Sequence, residues 1–167
     1  MSMKGQYFSF DAIIATVIMV LAFSSLIAYW YGAQSVVESR VYGRLSDAER
    51  IAETLLSPGS PSDWEAPGHY MDEVRQLGIA KGFSNGISPG KLGSFKAMAA
   101  NYYDETGNLL RAGGDYYVLI EQTDDSGGVL EGVGRPYPND AQYVAIATRG
   151  VTYNGRPCRM RVFLWKQ

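Results

Sequence analysis

The sequence has one cysteine and one histidine in 167 residues, and only 19% of the chain is charged. A single cysteine, Cys158, excludes an internal disulfide. A single histidine, His69, argues against a His-rich metal cluster and against Ser-His or Cys-His catalytic pairs. The formal net charge of -2 lacks the basic excess that a general nucleic-acid binder needs. Phosphate-binding signatures are missing too: no G-x-x-x-x-G-K-[ST] occurs, and no G-x-G-x-x-G opens a helix. No asparagine starts an N-x-[ST] acceptor. These absences leave no legible enzyme constellation and no implied cofactor. They do not describe a disordered chain, because 46% of the residues are hydrophobic and 13% aromatic.

The most informative absence is local. No charged residue occurs from Ala12 to Val37, a run that includes Ile13, Ile14, Val17, Ile18, Val20, Leu21 and Phe23. About 20 apolar residues in a helix cross a bilayer. Tyr29, Trp30 and Tyr31 cluster at the far end, where amphipathic rings favour the headgroup region. A cleaved secretory signal would have a shorter apolar core and a small-residue cleavage site. A buried core helix would need a domain able to cover it on every side. The flanking charges, Lys4 against Glu38, Arg40 and Arg44, do not decide orientation.

Beyond this run the pattern changes to one-sided. Val41, Leu45, Ala48, Ala52 and Leu55 recur at helical spacing, with Arg44, Asp47, Glu49, Arg50 and Glu53 between them. Gly32 and Gly43 mark candidate bends. Ser57-Pro58-Gly59-Ser60-Pro61 stops the helix, since proline cannot continue its hydrogen bonding. Further on, Ser88-Pro89 reads as a cap and first turn, opening a short helix around 91–100. Residues 102–110 read as a second helix or turn stopped by Gly113-Gly114. Strands are expected over 116–121, 142–149 and 158–165, with Asn154-Gly155 forming a tight hairpin turn. Asp124-Asp125-Ser126 reads as a solvated turn, without the spacing of a calcium loop. Cys158 reads as a buried small hydrophobe on the last strand. Charge is uneven: 104–140 carries eight acids and two bases, whereas 150–167 carries four bases and no acid. That asymmetry fits either subunit packing or a basic edge strand beside an acidic loop.

The opening segment, Met1-Ser2-Met3-Lys4-Gly5-Gln6-Tyr7-Phe8-Ser9-Phe10-Asp11, resembles the class III (prepilin-type) signal of archaeal type IV pilin-like proteins. The phrases "LLSPGSPSDWE", "VRQLGIAKGFSNGISPGKLGSFKAM" and the final hairpin resemble the order of parts in that group. The resemblance implies that a prepilin-type peptidase cuts between Gly5 and Gln6 and leaves the apolar helix in place. Lys4 would hold the leader on the cytoplasmic side, and Gly5 would present extended backbone. It also implies a short strand at Leu77-Gly78-Ile79-Ala80. Family members usually carry Glu at the fifth mature position. This chain has Phe10 there and the acid one place later, at Asp11. Asp11 then has two readings: a carboxylate that pairs with a neighbouring copy's Gln6 amine, or a first-turn residue of a helix capped by Ser9.

The expected fold is α+β, with a long N-terminal hydrophobic helix packed on a small, mostly antiparallel sheet and one or two short extra helices. The expected organisation is a leader at 1–5, a helix at 6–57 and a head domain at 58–167. Residues 9–34 of that helix form its membrane or filament core, and 35–57 are amphipathic. The implied function is a major or minor subunit of an archaeal type IV pilus-like surface filament. Its partners would be the peptidase, copies of itself or related pilins, and membrane lipid. The implied location is a single-pass membrane protein with an extracytoplasmic head, which enters a surface filament after assembly. The alternative is an uncleaved single-pass anchor carrying an extracytoplasmic binding or sensing domain.

Overall fold

A computed structural model describes residues 4–66, 71–82, 85–123, 128–138, 141 and 143–166. The chain divides into two compact units, Met1–Arg40 and Val41–Gln167. The architecture is α+β, as expected. The first element, α1, runs from Lys4 to Leu55 and continues through both Gly32 and Gly43. The first unit consists of helix from Lys4 onward, and its side chains from Phe10 to Ser35 are exposed throughout.

The second unit is a four-stranded antiparallel sheet with helices on one face. Its strands are β1 (Asp115–Gln122), β2 (Val129–Gly134), β3 (Ala145–Tyr153) and β4 (Arg156–Trp165), in the order β2-β1-β4-β3. Tyr116, Val118 and Ile120 alternate with less buried neighbours on β1, and Cys158, Met160 and Val162 alternate with the half-buried Arg159 and Arg161 on β4, whose last four residues, Val162 to Trp165, are buried on both faces. This period of two sends one set of side chains into the core. Above them lie the end of α1, helix α2 (Pro89–Asn101) and helix α3 (Tyr103–Leu110). A single 3-10 turn at Met71–Glu73 is a third short helix.

Local chemistry explains the boundaries. In the last turns of α1, Ala48, Ile51, Ala52 and Leu55 are fully buried on one face. Leu45, expected on that stripe, is exposed; the stripe is carried by Ile51 instead. Val41 has its side chain outside the described residues. The chain leaves the helix at Gly59, whose φ of +83° favours glycine. Ser88 is extended and its hydroxyl accepts from the Lys91 N–H, so it caps α2 with Pro89 at the first position. Leu92, Phe95 and Ala99 form the buried face of α2. Helix α3 ends at Arg111, in the left-handed conformation, before Gly113-Gly114 is reached. The Arg50 guanidinium donates to the Leu110 and Arg111 carbonyls, at 3.1 and 2.7 Å. A cation thus satisfies carbonyls that the end of α3 leaves open. Asn154 and Gly155 both have positive φ and form the β3–β4 hairpin turn.

Several expectations are corrected. β3 starts at Ala145 and runs on to Tyr153, three residues later at its start and four later at its end than expected. The hairpin turn sets its register against β4, and residue 142 lies outside the described residues. β2 was not expected at all. Leu77-Gly78-Ile79-Ala80 is buried but makes no strand in the sheet. Its backbone bonds go elsewhere: Ile79 N–H to Leu55 O, Ala80 N–H to Ser57 O, and Ser88 N–H to Ile79 O. The helix end and the loop before α2 have taken the groups a sheet would have used. Cys158 is buried, as expected. His69 and Asp124-Asp125-Ser126 lie outside the described residues.

Candidate functional site

The first candidate is the apolar length of α1. Phe10–Ser35 has a mean hydropathy of 2.3 over its best window, none of it buried. Its 26 residues reach about 39 Å at ~1.5 Å per residue, more than the ~30 Å hydrocarbon core of a bilayer. Ile18 and Leu21 are each 61% exposed. A core helix of this domain would be covered; this one is not. Three of its hydroxyls are satisfied internally. The hydroxyls of Thr16, Ser25 and Ser35 donate to the carbonyls of Ala12, Leu21 and Gly32, at 2.8, 2.8 and 2.9 Å. Such bonds hide hydroxyls where there is no water to receive them. Tyr29, Trp30 and Tyr31 are strongly exposed at the far end.

Asp11 is the only charged residue between Phe10 and Ser35, and it is exposed. The capping reading of this region is corrected. α1 begins at Lys4 and has no acid in its first turn. Ser9 therefore sits inside the helix, and Asp11 is beyond the reach of its end dipole, which fades within a turn. The side chains of Lys4 and Gln6 lie outside the described residues. The backbone from Lys4 to Gln6 belongs to α1, so Gly5 is helical here. A peptidase works on extended backbone, so this segment must unwind to be cut. Glycine in a helix already costs about 1 kcal/mol relative to alanine, which lowers the cost of unwinding.

The second candidate lies in the body. Tyr103, Asp104, Gly107, Asn108, Gly113, Gly114 and Asp115 line an open cleft of about 300 Å³. Tyr103 stacks on Tyr116 with ring centroids 4.7 Å apart and planes 3° from parallel. Arg135 lies 4.1 Å over the Tyr103 ring and 3.7 Å from the Asp115 carboxylate. The Tyr103 hydroxyl accepts from the Tyr116 N–H at 2.9 Å and has Asp115 Oδ1 and Tyr116 O within 3.1 and 3.2 Å as acceptors. Burial pushes the Tyr103 phenol up to about 12, and the Asp115 carboxylate adds to the rise. Burial raises Tyr116 further still. Both phenols are therefore neutral at physiological pH, and their role here is to fix α3 against β1. The cleft lining holds no Ser, Thr, Cys, His or Lys to serve as nucleophile or base. Among the described residues, no group of three or more His, Cys, Asp or Glu side chains could hold a metal ion.

A buried lysine escaped the sequence reading. Lys91, in the first turn of α2, has a side chain only 7% exposed. Its ammonium donates to the Pro58 carbonyl at 2.6 Å and to the Ser62 carbonyl, with Glu65 Oε2 3.8 Å away. Trp64 seals the same loop by donating its indole N–H to Gly78 O at 2.8 Å. The Pro-Gly break after α1 is thus a clamped loop. Only the short spacing from Ser88 hinted at Lys91, and nothing local marked its partners some thirty residues upstream.

The opposite sheet face carries an aromatic cluster. Tyr137, after β2, stacks on Phe163 at 5.2 Å and meets Trp165 edge-on at 6.4 Å. Beside it, the Arg161 guanidinium lies 2.7 Å from the mostly buried Glu121 carboxylate, with Arg159 at 3.9 Å. The basic last strand therefore meets an acid of its own chain, but the expected basic edge strand beside an acidic loop is corrected: β4 is an inner strand, and its partner Glu121 belongs to the neighbouring strand β1. No family model matches the chain, and no curated protein and no solved structure matches it.

Proposed function

We propose that the protein is a membrane-inserted structural subunit of an archaeal type IV pilus-like surface filament. One observation carries the reading: an apolar helix with no buried residue from Phe10 to Ser35 belongs to the same chain as an α+β body whose buried core, among the described residues, lies at or beyond Ala48. The body needs none of the apolar segment for its core, so that surface is free for lipid or for the helices of other copies. Before assembly, lipid surrounds the helix. During assembly, lipid contact is exchanged for helix contact, and Asp11 pairs with the amine that cleavage creates on Gln6 of a neighbour. Pairing offsets much of the cost of a charge in apolar surroundings. In this reading the head is extracytoplasmic and non-enzymatic, and Lys4, Gly5 and Gln6 form the processing site.

N-terminal mass spectrometry of the protein from its native membrane tests this. A mature chain that begins at Gln6 is expected. An intact segment ahead of Gly5 would overturn processing and favour the second reading, an uncleaved single-pass anchor for a binding or sensing domain. The helical backbone at Gly5 supports that second reading, because an uncut helix needs no unwinding.

A further inference from the structure

The two edges of the sheet differ in how they are protected. β2, at one edge, is short and joined to β1 through an irregular register between Ile120 and Glu121. It also carries Glu131, which pairs with Lys96 at 2.8 Å. Bulges, short strands and charges are devices that discourage further pairing at an edge. β3, at the other edge, has none of these over Ile146, Ala147, Thr148, Arg149 and Gly150, apart from Arg149. That side chain is drawn away to Glu53 at 2.7 Å.

The backbone direction along β3 follows from its far end. Thr152 N–H donates to Asn85 O, and Ile87 N–H donates to Thr152 O. Both in-plane groups of Thr152 therefore point away from β4. The β3–β4 register is unbroken, so every second residue points the same way. Ile146, Thr148 and Gly150 accordingly turn their N–H and C=O groups outward, and all three are exposed. Asn85–Ile87 covers the edge only at Thr152.

The geometry points to a second copy of this chain as the occupant of that edge, paired antiparallel to β3 about a two-fold axis through Thr148. In this register Thr148 faces Thr148, and Ile146 of each copy faces Gly150 of the other. Each facing pair exchanges two N–H···O=C bonds. The side chains fit as well. Ile146 is 45% exposed, and a Cβ added at Gly150 would meet nothing within 4 Å. The isoleucine thus lies over the open space the glycine leaves. No like charges oppose one another, and Thr–Thr is a favourable cross-strand pair. The window also closes itself: β3 begins at Ala145, and the cover at Thr152 stops the partner strand from running further. Such an isologous contact ends at two copies and does not build a fibre. It therefore goes beyond the filament reading, and neither depends on the other.

Disulfide trapping of the full-length chain in detergent micelles tests the pairing and its register. Facing residues of a hydrogen-bonded antiparallel pair have Cα atoms about 5.5 Å apart, within disulfide reach. Thr148→Cys should form a covalent dimer in most of the protein on mild oxidation. Gly150→Cys should not, because it lies about 14 Å along the strand from its own copy. The unsubstituted chain, whose Cys158 is buried, should stay uncrosslinked. Thr148→Lys should reduce the dimer fraction several-fold in sedimentation, with the circular dichroism spectrum unchanged. A Thr148→Cys chain that stays monomeric, equal crosslinking at residues 148 and 150, or a Thr148→Lys chain as dimeric as the parent would each overturn the proposal. Processing at Gly5 can fail without touching any of these results.

Discussion

Two stretches of one helix use the same residue types for opposite ends. Ile18 and Leu21, in the first unit, are each 61% exposed, whereas Ile51 and Leu55, in the second, are 0% exposed. The difference lies in what surrounds them along the sequence. Around Ile18 every neighbouring position is apolar or small, so no face of the helix prefers the protein. Around Ile51, Glu49, Arg50 and Glu53 occupy the other faces and leave one stripe for the sheet. Apolar content alone therefore says that a residue avoids water. Periodicity says whether it avoids water inside its own domain or somewhere else.

Alanine substitution should separate the two stretches most sharply. Leu55→Ala is expected to destabilise the body by about 2–5 kcal/mol, the range for large-to-small changes in packed cores. Leu21→Ala should leave the body's melting transition unmoved in the same calorimetric measurement. Equal losses at both positions would erase the distinction.

The next largest effect concerns the loop that joins α1 to the rest of the body. Lys91→Met keeps the length of the side chain and removes its donors, leaving the Pro58 and Ser62 carbonyls without that partner. A loss of about 1–3 kcal/mol is expected in urea unfolding. Proteolytic nicking near residues 58–65 should also rise. An unchanged midpoint would mean that the buried ammonium does not hold the loop.

The smallest effect is a pH dependence confined to the body. The Tyr103 phenol titrates near 12 in the folded state, against about 10 for an unperturbed tyrosine. The folded state holds its proton more tightly than the unfolded chain does. The associated stability is therefore complete below pH 10 and falls as pH rises from 10 towards 12. Tyr116 acts in the same direction. Melting temperature should decline over that window, and Tyr103→Phe should flatten part of the slope. A slope unchanged by the substitution would remove Tyr103 from the explanation.

How much of this was legible depended on how local each signal is. The uncharged run after Asp11, the Ser88-Pro89 start and the Asn154-Gly155 turn act through their immediate neighbours, and all three appear where the sequence places them. β2 does not act that way. Val129, Leu130, Glu131, Gly132, Val133 and Gly134 have poor strand character, and their extended form comes from pairing with β1. Lys91 reads as a solvated charge until the Pro58 and Ser62 carbonyls are brought over it. The hydroxyl of Tyr103 likewise gains its role only when α3 folds back on β1. The Leu77–Ala80 segment shows the reverse: its composition suits a strand, and competing backbone partners keep it out of the sheet.

Vesicle flotation of the purified full-length chain tests the central claim most directly. After detergent is removed in the presence of phospholipid, the protein is expected to rise with the vesicles through a density gradient. The same chain with Val20→Arg should rise less, since arginine near the middle of a spanning helix costs about 2.5–3.5 kcal/mol of insertion. A full-length chain that stays at the bottom as a soluble, lipid-free monomer would contradict the account.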